Sequence, residues 1–147
     1  MIREVKACEL DKLLPAAKEF YSASGIKGDF NAELFQKNWE SFLSSKMGAI
    51  FALVDDKTDK FYGAIGFIKI PDIITGLLIA SEVFWYVMEG RRGEGMKLFN
   101  IYEKWAVDQG CKSIRMIHLS NIMPDELKRI YLRRGYREIE IAYEKEI

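Results

Sequence analysis

The chain has 147 residues, 49% hydrophobic and 13% aromatic, which is enough apolar material for the core of one domain spanning 1–147. Its 22 basic and 22 acidic residues cancel and no long basic run is present, which argues against a nucleic-acid binder. Charges at Arg3, Glu4 and Lys6 interrupt the N-terminus as a signal peptide, and the apolar stretch Ile73 to Met88 is too short for a membrane span and carries Glu82, so a cytoplasmic protein is expected.

In chain order, Ile2 to Cys8 alternates as a first strand. Leu10, Leu13, Leu14, Ala17, Phe20 and Tyr21 recur at helical spacing, which predicts a helix over Glu9 to Ser22, broken by Gly25 and Gly28. Asn31 caps a second helix that carries Leu34, Phe35, Trp39, Phe42 and Leu43. Ala49 to Val54 and Phe61 to Ile70 form a hairpin around the polar turn Asp55-Asp56-Lys57-Thr58-Asp59. Leu77 to Met88 is a strand apolar enough for burial on both faces, with Glu82 sharing a face with Phe84 and Tyr86 by simple alternation. Met96 to Gln109 is a helix ended by Gly110, and Lys112 to Leu119 a further strand. Pro124, Asp125 and Glu126 begin a last helix, Gly135 ends it, and Tyr136 to Lys145 reads as a final strand. The order β-α-α-β-β-β-α-β-α-β predicts an α/β (α+β) domain: a mixed, mostly antiparallel sheet with helices on both faces.

The segment Val87-Met88-Glu89-Gly90-Arg91-Arg92-Gly93-Glu94-Gly95-Met96-Lys97 joins the apolar strand to a helix through a glycine-punctuated turn. Bare backbone N–H groups, a helix N-terminus and two arginines make such a turn a candidate phosphate cradle. It is not a Walker loop, which ends in Gly-Lys-Ser/Thr, nor the dinucleotide fingerprint, since Leu98 stands three residues after Gly95. Val87, Arg92, Gly93 and Gly95 instead resemble motif A, R/Q-x-x-G-x-G/A, of the GNAT superfamily of acyl-CoA-dependent N-acyltransferases, with Lys97 standing where that motif ends in Gly or Ala. Tyr131-Leu132-Arg133-Arg134-Gly135-Tyr136 resembles the late signature Y-x-x-x-G-F/Y of the same superfamily. The two stand in the superfamily's order, as in its small single-domain bacterial or phage-type members.

The resemblance implies a cosubstrate, acetyl-CoA, and no metal. Its pyrophosphate would lie over Arg92, Gly93, Glu94, Gly95, Met96 and Lys97, with Arg91 and Arg92 as charged donors. Its pantetheine arm would run along Phe84, Trp85, Tyr86 and Val87, where the fourth and fifth strands part. Glu82, in an otherwise apolar strand, is the candidate base, and Tyr131 the candidate acid for the leaving thiolate. Tyr21, Phe30 and Trp39 lie in the helical pair that walls the acceptor site in that superfamily; residues of this kind are more often core, and Tyr21 and Phe30 are the candidates for substrate contact. His118, the single histidine, reads as structural; Cys8 and Cys111 read as small buried hydrophobes in a reducing cytosol. The expected partners are an amine-bearing small molecule or peptide and, as in many such enzymes, a second copy in a homodimer. A non-catalytic acyl-CoA sensor and an unrelated α/β interaction domain are the alternatives.

Overall fold

Residues 1–147 are described by a computed structural model. The chain divides into two compact units, Met1–Ile117 and His118–Ile147.

The first unit holds a five-stranded sheet in the order β1-β2-β3-β4-β5. Its strands are β1 (Ile2–Glu4), β2 (Gly48–Val54), β3 (Phe61–Pro71), β4 (Leu78–Val87) and β5 (Ser113–Arg115). The first three pairings are antiparallel and β4 with β5 is parallel. The two hairpin turns share one device. Asp55 Oδ1 accepts from the Lys57 and Thr58 amides, and Asp72 Oδ1 from those of Ile74 and Thr75. In each case the threonine hydroxyl donates to the same oxygen.

Three helices flank this sheet: α1 (Leu14–Ser24), α2 (Ala32–Ser44) and α3 (Gly95–Asp108). The first strand and helix differ from the sequence reading. β1 stops at Glu4, and Ala7–Leu13 is a 3-10 segment, so the α-helix begins only at Leu14. Pro15 explains the delay, because it has no N–H to give an earlier ladder and is suited to the first turn of a new helix. Glu9 holds the 3-10 segment in place. It accepts from the Lys6 amide at 3.2 Å and from the Arg3 guanidinium through two bonds of 2.8 Å. α2 begins as read, with the Asn31 side chain accepting from the Leu34 amide at 2.9 Å.

The sheet is covered on both faces. On one, Trp39 of α2 packs with Val5, Leu10, Leu13, Ile50 and Val54. On the other, Phe67 of β3 stacks on Tyr102 and Trp105 of α3 at 4.5 and 4.7 Å between ring centroids. Gly66 belongs to the first face for a steric reason: a Cβ there would lie 2.3 Å from the Phe84 ring and 2.9 Å from Trp39.

The second unit contains α4 (Pro124–Arg133). It ends in a Schellman motif, with the Gly135 amide donating to Leu132 and the Tyr136 amide to Tyr131. Gly135 sits at φ +86°, and the Tyr136 and Tyr131 rings meet at 6.0 Å as the accompanying apolar contact. The strand expected over Tyr136 to Lys145 is not assigned. Within this unit α4 is the one regular element, and a helix offers no edge to pair with. Likewise β5 covers Ser113–Arg115 where Lys112 to Leu119 was expected.

Candidate active site

β4 positions most of the candidate residues, and a register shift decides how. Gly66 pairs with Phe84 but Phe67 pairs with Glu82, so Val83 is an extra residue, a β-bulge. The bulge overturns the reading that Glu82 shares a face with Phe84 and Tyr86. Glu82 stands opposite Phe67, on the α3 face, whereas Phe84 stacks edge-on against Trp39 of α2 at 5.3 Å. Simple alternation holds only in an unbulged strand.

β5 pairs with β4 at Ile79, Ala80 and Ser81 alone, and from Glu82 to Val87 that edge of β4 carries no strand within Met1–Ile117. The Glu82 carboxylate stands where pairing stops. Its Oε2 accepts from the Ile117 amide at 2.9 Å, and the side chain is 6% exposed. Burial pushes its pKa up to about 7, against the smaller opposing effect of that one amide bond. A carboxylate with such a pKa can take up a proton near neutral pH.

Past Val87 the chain enters the glycine-rich turn. Arg92–Glu94 is a single 3-10 turn, and α3 follows from Gly95. Gly95 lets the helix start approach β4: a Cβ there would lie 3.3 Å from the Trp85 ring. Trp85 in turn stacks on Phe99 of α3 at 5.4 Å. Around Gly93 there is open space, with no atom within 4 Å of an added Cβ. The side chains of the turn are already organised. Glu94 bonds Arg91 Nε at 2.6 Å and Lys97 Nζ at 3.2 Å, and Arg91 lies over the Tyr62 ring at 4.2 Å while donating to its hydroxyl at 2.8 Å. Arg91 and Lys97 are thus tied down within the turn, and Arg92 approaches the Tyr86 phenol. The open space over Gly93 lies at the N-terminus of a 14-residue helix, where backbone N–H groups and the helix dipole favour an anion.

A cavity of about 290 Å³ opens on the α1–α2 face of the sheet. Tyr21, Phe30, Phe35 and Trp39 line it from the helical side, and Val83, Phe84 and Tyr86 from β4. The Tyr86 hydroxyl bonds Glu19 Oε1 at 2.6 Å, and burial together with that carboxylate pushes its pKa up to about 12. Tyr21, Phe30 and Trp39 therefore do line one cavity. Glu19 and Val83 were missed by sequence reasoning. Glu19 looks like any solvated helix position, and no residue pattern announces the bulge.

In the second unit Tyr131 is buried, with the His118 ring stacked beside it at 6.3 Å and 16°. His118 had been read as structural, and nothing in the sequence placed it next to that tyrosine. The two cysteines differ from the sequence reading: Cys8 is exposed on the 3-10 segment and Cys111 half-buried just past α3, so neither is a core residue. No group of three or more His, Cys, Asp or Glu side chains is placed to hold a metal, and no helix is long and apolar enough to cross a membrane.

No family model matches the sequence, and no curated protein matches it. Solved structures do. A protein from Clostridium acetobutylicum described as a predicted acetyltransferase, determined with acetyl-CoA, aligns at a TM-score of 0.78 and 13% identity, over 99% of this chain and 95% of that one. Glucosamine-6-phosphate N-acetyltransferase from Arabidopsis thaliana aligns at 0.75 and 15% identity, over 99% and 97%. Ribosomal-protein-alanine N-acetyltransferase from Brucella melitensis aligns at 0.70 and 15%, over 100% and 99%. The chain has the GNAT acetyltransferase fold. The bulged β4, the turn and α3 follow one another in the chain, and the turn is the segment that carries the first of the two sequence resemblances; the second lies in α4.

Proposed function

We propose that the chain is an N-acetyltransferase that moves an acetyl group from acetyl-CoA directly to a primary amine. The observation that carries this is Glu82: a carboxylate buried where β4 and β5 stop pairing, next to the open β4 edge that leads into the turn at Arg92–Lys97. Bound acetyl-CoA supplies an activated acetyl thioester. The chain's residues supply the rest. The N-terminus of α3 and Arg92 hold phosphate, while the polar backbone along Phe84–Val87 offers hydrogen bonds to an extended arm. An alkyl ammonium with a pKa near ~10.4 is neutral only to about one part in a thousand at pH 7. Glu82, which faces α3 from the other side of β4 than the cavity, takes its proton through water at the strand edge where pairing with β5 stops, and the β4 backbone donates to the oxygen on which charge develops. The Tyr131 phenol returns a proton to the departing thiolate, an assignment resting on the Y-x-x-x-G-Y signature.

A second reading is a non-catalytic acyl-CoA sensor. It is favoured by Glu94, which already neutralises Arg91 and Lys97 in the turn. Thiol release from acetyl-CoA across a panel of amines separates the two: turnover supports the enzyme, and cofactor binding with no turnover on any amine supports the sensor. In the same assay Tyr131→Phe should lower kcat by ~10²–10⁴. Full turnover in that variant would remove Tyr131 from the mechanism.

A further inference from the structure

The proposed reaction leaves the acceptor undefined, and the cavity on the α1–α2 face narrows it. The side chains that shape it are aromatic and aliphatic: Phe20, Phe30, Phe35, Trp39, Val83 and Phe84, with Asn38 and the two tyrosine hydroxyls as the polar exceptions. Both hydroxyls are already taken, since Tyr21 donates to the Gly28 carbonyl and Tyr86 to Glu19. A sugar or a polyamine placed here would lose its hydrogen bonds to water and regain few of them. An apolar body would lose nothing.

Size and charge narrow the acceptor further. A volume of about 290 Å³ equals that of about ten water molecules at ~30 Å³ each, which suits a ligand of about ten non-hydrogen atoms. One aromatic ring with a short amine arm has that size. The rings lining the cavity meet at steep angles, 69° for Trp39 with Phe42 and 78° for Trp39 with Phe84, which leaves edges and faces open to a further ring. Beside the lining residue Tyr86 stands the carboxylate of Glu19, exposed and bound through one oxygen to the Tyr86 hydroxyl. The Tyr86 phenol is also the group that Arg92 approaches, so the cavity adjoins the glycine-rich turn at Tyr86.

We propose that this cavity is the acceptor site and that it selects a small primary amine with an aromatic or compact apolar body, whose cationic end is drawn to Glu19 beside Tyr86. This rests on the acetyltransferase reading. Val83 and Phe84 form its floor because the β4 bulge turns both side chains toward α2. The alternative occupant, a longer acyl chain carried by the thioester, would find no use for Glu19.

The test compares acetyl-CoA turnover with phenethylamine and tryptamine against glucosamine 6-phosphate, spermidine and a lysine peptide. Direct binding of phenethylamine is followed in parallel through the fluorescence of Trp39 in the cavity wall. The expected result is a kcat/KM about 10- to 100-fold higher for the arylalkylamines. Ala17→Phe, which fills the cavity from α1, should abolish that preference and phenethylamine binding while acetyl-CoA still raises the variant's melting temperature. A preference for the polar amines overturns the inference and leaves the proposed function standing. Arylalkylamine binding without turnover supports the cavity assignment and overturns the acetyltransferase reading instead. Tighter binding of octanoyl-CoA than of acetyl-CoA, lost in Ala17→Phe, would show that the cavity holds the acyl chain and would sink the proposal. Should Ala17→Phe not fold, the amine panel and the fluorescence titration on the unaltered protein decide alone.

Discussion

Glu82 is the one charged side chain that the fold buries, and its environment makes two opposite demands. One backbone amide favours the carboxylate, while the apolar surroundings favour the acid, and the second prevails: the pKa rises from 4.5 to about 7. Between those two values the folded chain holds a proton that the unfolded chain has released. Stability contributed by the protonated form is therefore complete below pH 4.5 and is lost as pH rises through about 7, by about 3 kcal/mol in all. Glu82→Gln keeps an acceptor for the Ile117 amide and removes the ionisation. Urea unfolding should find the variant close to the parent near pH 4 and more stable above pH 8. Its kcat/KM should also lose the inflection near pH 7; an inflection that survives would assign it to another group. Gly66 is constrained sterically. Gly66→Ala puts a methyl group against the Phe84 and Trp39 rings, and such overpacking costs about 1–3 kcal/mol, read as a lower urea midpoint.

At the scale of the element, β4 and α4 show how one motif can serve two ends. The bulge at Val83 gives β4 two working faces: Glu82 on the α3 side, and Val83, Phe84 and Tyr86 on the cavity side. In α4 the Y-x-x-x-G-Y spacing is first of all a helix stop, since its tyrosines and its glycine occupy the C3, C″ and C′ positions of the Schellman motif. Gly135→Ala should then cost about 1 kcal/mol or more in urea unfolding, because a Cβ at φ +86° is strained. Tyr131→Phe keeps the ring contact with Tyr136 and should unfold close to the parent. A loss of turnover in Tyr131→Phe without a loss of stability is thus chemical, whereas in Gly135→Ala the two should fall together.

For the whole molecule, the fold similarity and the turn into α3 make cofactor binding the property to measure first. Acetyl-CoA at a hundred times its dissociation constant should stabilise the chain by ~2.7 kcal/mol, raising the melting temperature by about 5–10 °C. No shift at millimolar acetyl-CoA would count against both the enzyme and the sensor readings. Much of the architecture was legible in the residues. The Asn31 cap, the polar turn at Asp55, the strand–turn–helix from Leu78 to Asp108 and the Gly135 stop are written locally, because turn and cap chemistry acts over three or four residues. The late start of α1 was legible too, in Pro15, and was overlooked. Other features were not legible at all. Glu82 and Phe84 stand two residues apart and face opposite ways because Gly66, sixteen residues before Glu82, leaves room for Phe84 and pairs across a bulge. Glu19 meets Tyr86 across 67 residues, and Glu94 closes on both Arg91 and Lys97 once the turn is formed. By itself the sequence determined the order of the elements up to α4 and the place of the glycine-rich turn, since these depend on neighbours in the chain, whereas the strand read over Tyr136 to Lys145 did not form. Tertiary structure alone decided which face each β4 side chain takes, what the Glu82 carboxylate bonds to and which side chains line the cavity. Those properties depend on strand register and on side chains far apart in sequence, to which local periodicity is blind.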